Sequence, residues 1–165
     1  MELENQTLKH TYIKLLCDAL QRKYEVLQQL MRLTEKQEEI ISSEAFDEDS
    51  FLDIIDQKEE QLQTLNSLDS GFTKLYESVK EELVVGKLNY SVEISCMKEL
   101  ITKITDLSVR LQAIEKRNKE KFEAVIASKR IEIKKLRISN QTATNYYKTM
   151  AQQHESQSYF YDKKN

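Results

Sequence analysis

The chain contains no proline and only two glycines, Gly71 and Gly86, in 165 residues. Proline breaks helix interiors by removing a donor and clashing with the preceding turn, and glycine weakens them through backbone entropy. A chain that avoids both, carries 32% charged residues and repeats its apolar residues every three or four positions is built for long helices. It has few glycine-rich loops on which to form a phosphate cradle, an oxyanion hole or a strained nucleophile turn. Binding, and not catalysis, is the expected activity.

The hydrophobic fraction of 39% lies below the roughly 45–50% of compact globular domains. That deficit suits an elongated bundle, which buries narrow stripes instead of a thick core. Net charge is only -3, so no overall pull toward nucleic acid is implied. The charge is nevertheless segregated. Leu33 to Ser70 carries twelve acidic residues against two basic ones, whereas Glu115 to Arg137 carries nine basic against four acidic. Complementary faces meeting inside one bundle account for this. The competing reading is a nucleic-acid patch built on Lys129, Arg130, Lys134, Lys135 and Arg137. The interleaved Glu120, Glu123 and Glu132, and the position of the aromatics outside the Lys129–Arg137 patch, weaken it, so no nucleic-acid partner is expected.

One helix is expected over about Thr7–Ser42, because Ile13, Leu16, Leu20, Leu27, Leu30 and Ile41 share an a/d-like stripe, interrupted by Lys23, Thr34 and Gln37. Asp47 or Asp49 then caps a second helix from about Ser50 to Leu68, with Phe51, Ile55, Leu62 and Leu65 inward, ending at Asp69-Ser70-Gly71. A short helix follows over Phe72–Val85, and Gly86 marks a joint. Ser91 caps the longest helix, whose stripe runs through Met97, Ile101, Ile104, Leu107, Leu111 and Ile114 to Asn118, Phe122, Val125 and Ile126. Unbroken from Ser91 to Leu136, it spans about 69 Å at roughly 1.5 Å per residue. Asn118 fixes helix register if it is buried, or marks a place where the stripe has drifted into solvent. The fold class is therefore all-α: an elongated antiparallel helical hairpin or bundle with a long C-terminal helix and a mobile tail. Residues 1–138 form the bundle domain and residues 139–165 a flexible binding tail.

Catalytic and metal chemistry find no footing. His10 and His154 stand far apart in the sequence without Cys or His at ligand spacing, so no metal or other cofactor is expected. Cys17 and Cys96 each neighbour apolar residues and read as buried free thiols, with a disulfide between them the minor alternative. The acidic pairs Glu38-Glu39 and Glu59-Glu60 belong to solvated helix faces. The N-terminus lacks a basic region followed by an apolar core, and no apolar run approaches the roughly 18 residues of a membrane span, so a cytoplasmic protein is expected.

After Leu136 the character changes. Ser139–Asn145 is small and polar, yet Ile131, Ile133, Leu136, Ile138, Tyr146, Tyr147 and Met150 are too apolar for a solvated end and have no evident partner in the sequence. They are the candidate contacts for a protein client, and truncation after Arg137 is expected to leave the fold intact while weakening that binding.

The long first helix, the stretch Ile41–Glu60 with its Asp-x-Lys-Glu-Glu at Asp56–Glu60, the Leu111–Asn118 stretch ending Glu-Lys-Arg-Asn, and the closing Ser158–Lys164 together resemble the FlgN family of flagellar export chaperones. The resemblance spans most of the chain and rests on order and spacing. It implies a cytoplasmic, all-helical, non-catalytic protein. Such a protein binds hook–filament junction subunits, keeps them unassembled and delivers them to the type III export apparatus, with much of the binding in its C-terminal helix. A coiled-coil adaptor or scaffold is the alternative; it predicts a uniform heptad and stable self-association.

Overall fold

The structure, a computed structural model, describes residues 2–128, 145, 146 and 148–150. Among the described residues, three long helices make up the bundle: α1 (Glu2–Ser42), α2 (Glu48–Val85) and α3 (Ser91–Ala127). No strand occurs among the described residues. The longest is α1, with 41 residues, about 62 Å at 1.5 Å per residue. It packs along both other helices.

Side-chain pairs fix direction and register. Lys9 meets Glu82, Lys23 meets Asp69 and Lys58 meets Gln37, so α2 runs antiparallel to α1. His10 approaches Glu93, Thr34 bonds Glu115 and Lys121 reaches Ser42, so α3 runs parallel to α1. The acidic and basic stretches do meet in the bundle: Glu38 on α1 is paired with Arg117 and Lys121 on α3.

The expected stripes are the core. Ile13, Leu16 and Leu30 of α1, Leu65 and Val79 of α2, and Ile104, Leu107 and Leu111 of α3 are all buried in one long cluster. A second, smaller cluster of Ile41, Phe51, Ile55, Phe122 and Val125 closes the opposite end, with the Phe51 and Phe122 rings stacked 4.7 Å apart.

Four local expectations need correction. Gly71 does not end a helix, because α2 continues to Val85 as one element. Leu65, Phe72, Val79 and Leu83 carry a single buried face across the glycine, and tertiary packing outweighs its local propensity. Ser91 is the first residue of α3 and not its cap; Tyr90 holds the cap position without a side-chain bond. The start of α3 is set instead by burial of Tyr90 and by Ile94 N–H donating to the Tyr90 carbonyl at 2.9 Å. α3 stops at Ala127, short of Leu136. There Ser128 takes the C-cap position, its amide donating to the Ala124 carbonyl at 3.0 Å and its hydroxyl to the Val125 carbonyl at 2.8 Å. Finally, the cysteines are less buried than expected: Cys17 is half-buried and Cys96 exposed, and both are free thiols.

The cap on α2 is as expected. One Asp47 carboxylate oxygen accepts from the Ser50 amide at 3.1 Å, the other from the Ser50 hydroxyl at 2.7 Å. These bonds hold the Asp47 carboxyl below its ordinary range.

Candidate functional site

The two hydrophobic clusters are separated by a buried polar layer. α1 supplies Thr34 and Gln37, α2 supplies Lys58, and α3 supplies Glu115 and Asn118; each is at most 4% exposed. Helical spacing puts them there. Thr34 and Gln37 continue the Leu27–Leu30 stripe toward Ile41, Lys58 lies between Ile55 and Leu62, and Glu115 lies between Leu111 and Asn118. All five occupy positions where a uniform coiled coil would place leucine or isoleucine.

Glu115 is the hub. One of its carboxylate oxygens receives Lys58 Nζ, the Thr34 hydroxyl at 2.8 Å and the Tyr146 hydroxyl at 2.8 Å. Lys58 also donates to Gln37 Oε1 at 2.7 Å and sits 4.3 Å from the centroid of the Tyr146 ring. Asn118 Nδ2 donates to the Thr34 carbonyl at 3.1 Å. Burial pushes the Lys58 ammonium below its ordinary value, and Glu115 opposes that shift. A smaller version lies nearer the other end of the bundle, where Lys23 donates to Asp69 at 2.7 Å and is likewise lowered by burial.

Tyr146 and Met150, expected in a free tail, are 1% and 4% exposed and belong to the long core cluster. The premise that they lack a partner in the chain is therefore wrong for these two. Tyr146 closes the polar layer from outside the three helices, beside Leu62 and Asn66 of α2. The other candidate client contacts, Ile131, Ile133, Leu136, Ile138 and Tyr147, lie outside the described residues, as does His154.

From the sequence, Lys23, Thr34, Gln37 and Asn118 stand out as breaks in apolar stripes, whereas Lys58 and Glu115 enter only as members of the Asp56–Glu60 and Glu115–Asn118 motifs, with no buried role assigned to either. Their signal was positional. Lys58 is three residues after Ile55 and four before Leu62; Glu115 is four after Leu111 and three before Asn118.

Other chemistry is sparse. No group of three or more His, Cys, Asp or Glu side chains suited to a metal occurs among the described residues. His10 lies beside Glu93 at 3.8 Å and against the Tyr90 ring. Burial, with the neighbouring Cys96 thiol next in weight and Glu93 and Asp18 behind it, pushes the Cys17 thiol up to about 12.

Against this all-helical framework, the family model described as FlgN protein matches residues 12–155. The chain belongs to the FlgN family. FlgN is the flagellar export chaperone family, not an enzyme family, and a general role in flagellar export follows from membership. No match was found among curated proteins or solved structures. The matched span takes in the whole polar layer and Tyr146, so the FlgN unit here includes the segment that closes the bundle. Among the described residues, no helix is long and apolar enough to cross a membrane.

Proposed function

We propose that this chain is a cytoplasmic, non-catalytic chaperone. It binds hook–filament junction subunits, prevents their premature assembly and delivers them to the type III export apparatus. The observation that carries this reading is the family match over residues 12–155. The client contacts are Ile131, Ile133, Leu136 and Ile138, with Tyr146, Tyr147 and Met150. Because Tyr146 and Met150 are seated on the bundle, a client that engages them has to replace the Lys58 and Glu115 contacts with its own. That exchange lowers net affinity and keeps the complex reversible.

Titration calorimetry of the full chain against purified junction subunits tests the proposal. Saturable binding is expected, weakened at least about tenfold by Ile133→Ser with Leu136→Ser at an unchanged melting temperature; a factor of ten corresponds to about 1.4 kcal/mol. Absence of binding to any junction subunit overturns the client assignment. Full-strength binding by the double variant moves the site onto the body of the bundle.

A further inference from the structure

Cys17 of α1 and Cys96 of α3 approach one another across the contact between those helices. The Cys17 thiol donates to the Glu93 carbonyl at 3.5 Å. A helical side chain leans toward the N-terminus of its own helix. Cys96, three residues beyond Glu93, therefore covers the same turn of α3 that Cys17 touches. The Cys96 thiol is a near enough neighbour to raise the proton affinity of Cys17. Their surroundings differ, since Cys96 is exposed while Cys17 is half-buried.

We propose that Cys17 and Cys96 form a reversible disulfide that staples α1 to α3, with a low-molecular-weight disulfide as the oxidant. The exposed Cys96 gives up its proton and attacks one sulfur of the small disulfide. The S–S bond of the oxidant breaks, one small thiolate leaves and a mixed disulfide remains on Cys96. Cys17 then loses its proton, attacks the Cys96 sulfur and expels the second small thiolate. Two protein thiols are oxidised by two electrons in total, the oxidant is reduced to two thiols, and the two protons end on those thiols. Exposure suits Cys96 to meet the oxidant, and adjacency suits Cys17 to resolve the adduct. The resulting bond spans two helices far apart in sequence, so it restrains the unfolded chain strongly. It also holds α1 and α3 together near the α2–α3 turn.

The test incubates the full reduced chain with oxidised glutathione and follows intact mass and alkylation. The expected product is a monomer lighter by two hydrogens that resists N-ethylmaleimide until dithiothreitol is added. Its melting midpoint rises by about 5–10 °C. The Cys17→Ser chain is expected to stall with one glutathione on Cys96. Accumulation of that same adduct in the unsubstituted chain, or of dimers cross-linked through Cys96, overturns the proposal.

Discussion

Lys58 of α2 lies against a carboxylate oxygen of Glu115 of α3 in the interior of the bundle, with both side chains almost wholly withdrawn from water. The Tyr146 hydroxyl donates to that same oxygen, and the Tyr146 ring lies 4.3 Å from Lys58 Nζ. An ion pair in such a place contributes less to stability than its contact implies, because desolvating two charges offsets most of their attraction. Its effect is to set register. A slip of α2 or α3 by one turn strands a buried charge, whereas the apolar stripes on either side tolerate such a slip far better.

Breaking the pair from one side therefore has a large effect. Lys58→Met leaves Glu115 buried without its cation and should cost about 3–5 kcal/mol. Lys58→Met with Glu115→Gln keeps acceptors for Thr34 and Tyr146 while removing both charges. Urea unfolding should find the double variant more stable than Lys58→Met alone. Equal losses in the two would mean that the charges are not coupled.

Tyr146 ties the end of the chain to this layer. Tyr146→Phe keeps the ring beside Lys58 but removes the bond to Glu115, and should cost about 1.5–3 kcal/mol, the range for hydrogen bonds to charged groups. A chain ending at Arg137 lacks both Tyr146 and Met150 and should melt at a lower temperature than the full chain. This reverses the expectation drawn from sequence, that truncation there leaves the fold unchanged. Thermal melts followed by circular dichroism decide between them.

The two glycines should respond to alanine with opposite signs. A methyl group at Gly71, inside α2, meets nothing within 4 Å, so Gly71→Ala should stabilise by about 0.5–1 kcal/mol through helix propensity. At Gly86 the same methyl approaches the Glu82 carbonyl oxygen to 2.9 Å and the Tyr90 ring to 3.2 Å. Gly86→Ala should lower the melting temperature, because backbone at the end of α2 or the buried Tyr90 has to move.

Leu107 is 4% exposed, midway along α3. Leu107→Ala should cost about 2–5 kcal/mol by lost transfer energy and cavity formation, measurable as a lower urea midpoint.

The Asp47 cap carries a pH dependence. Its carboxyl is held below the ordinary 3.8 in the folded chain by bonds from Ser50. The unfolded chain therefore takes up this proton first as pH falls, and the cap's stabilisation is complete only above 3.8. It fades as pH drops through the folded value. The difference in stability between the native chain and Asp47→Ala should be clear at pH 7 and shrink below pH 3.8.

By itself the sequence determined the helices and their faces. Without proline, and with apolar residues at helical spacing, few backbone alternatives existed for Ile13–Ile41, Phe51–Leu65 or Met97–Leu111, and these stripes are the core. It also narrowed the cap of α2 to Asp47 or Asp49 and marked Gly86 as a joint, because capping and chain reversal depend on neighbouring residues alone. It further flagged Thr34, Gln37 and Asn118 as polar intrusions. Tertiary structure decided what those intrusions do. Lys58 and Glu115 look like ordinary solvated charges in a charged chain, and only packing three helices in one register brings them together under Tyr146. The same packing carries α2 straight through Gly71, where a local rule ends the helix, since a continuous buried face outweighs about 1 kcal/mol of glycine propensity. Position along one helix is local information. Partners supplied by other helices are not, and the polar layer consists of such partners.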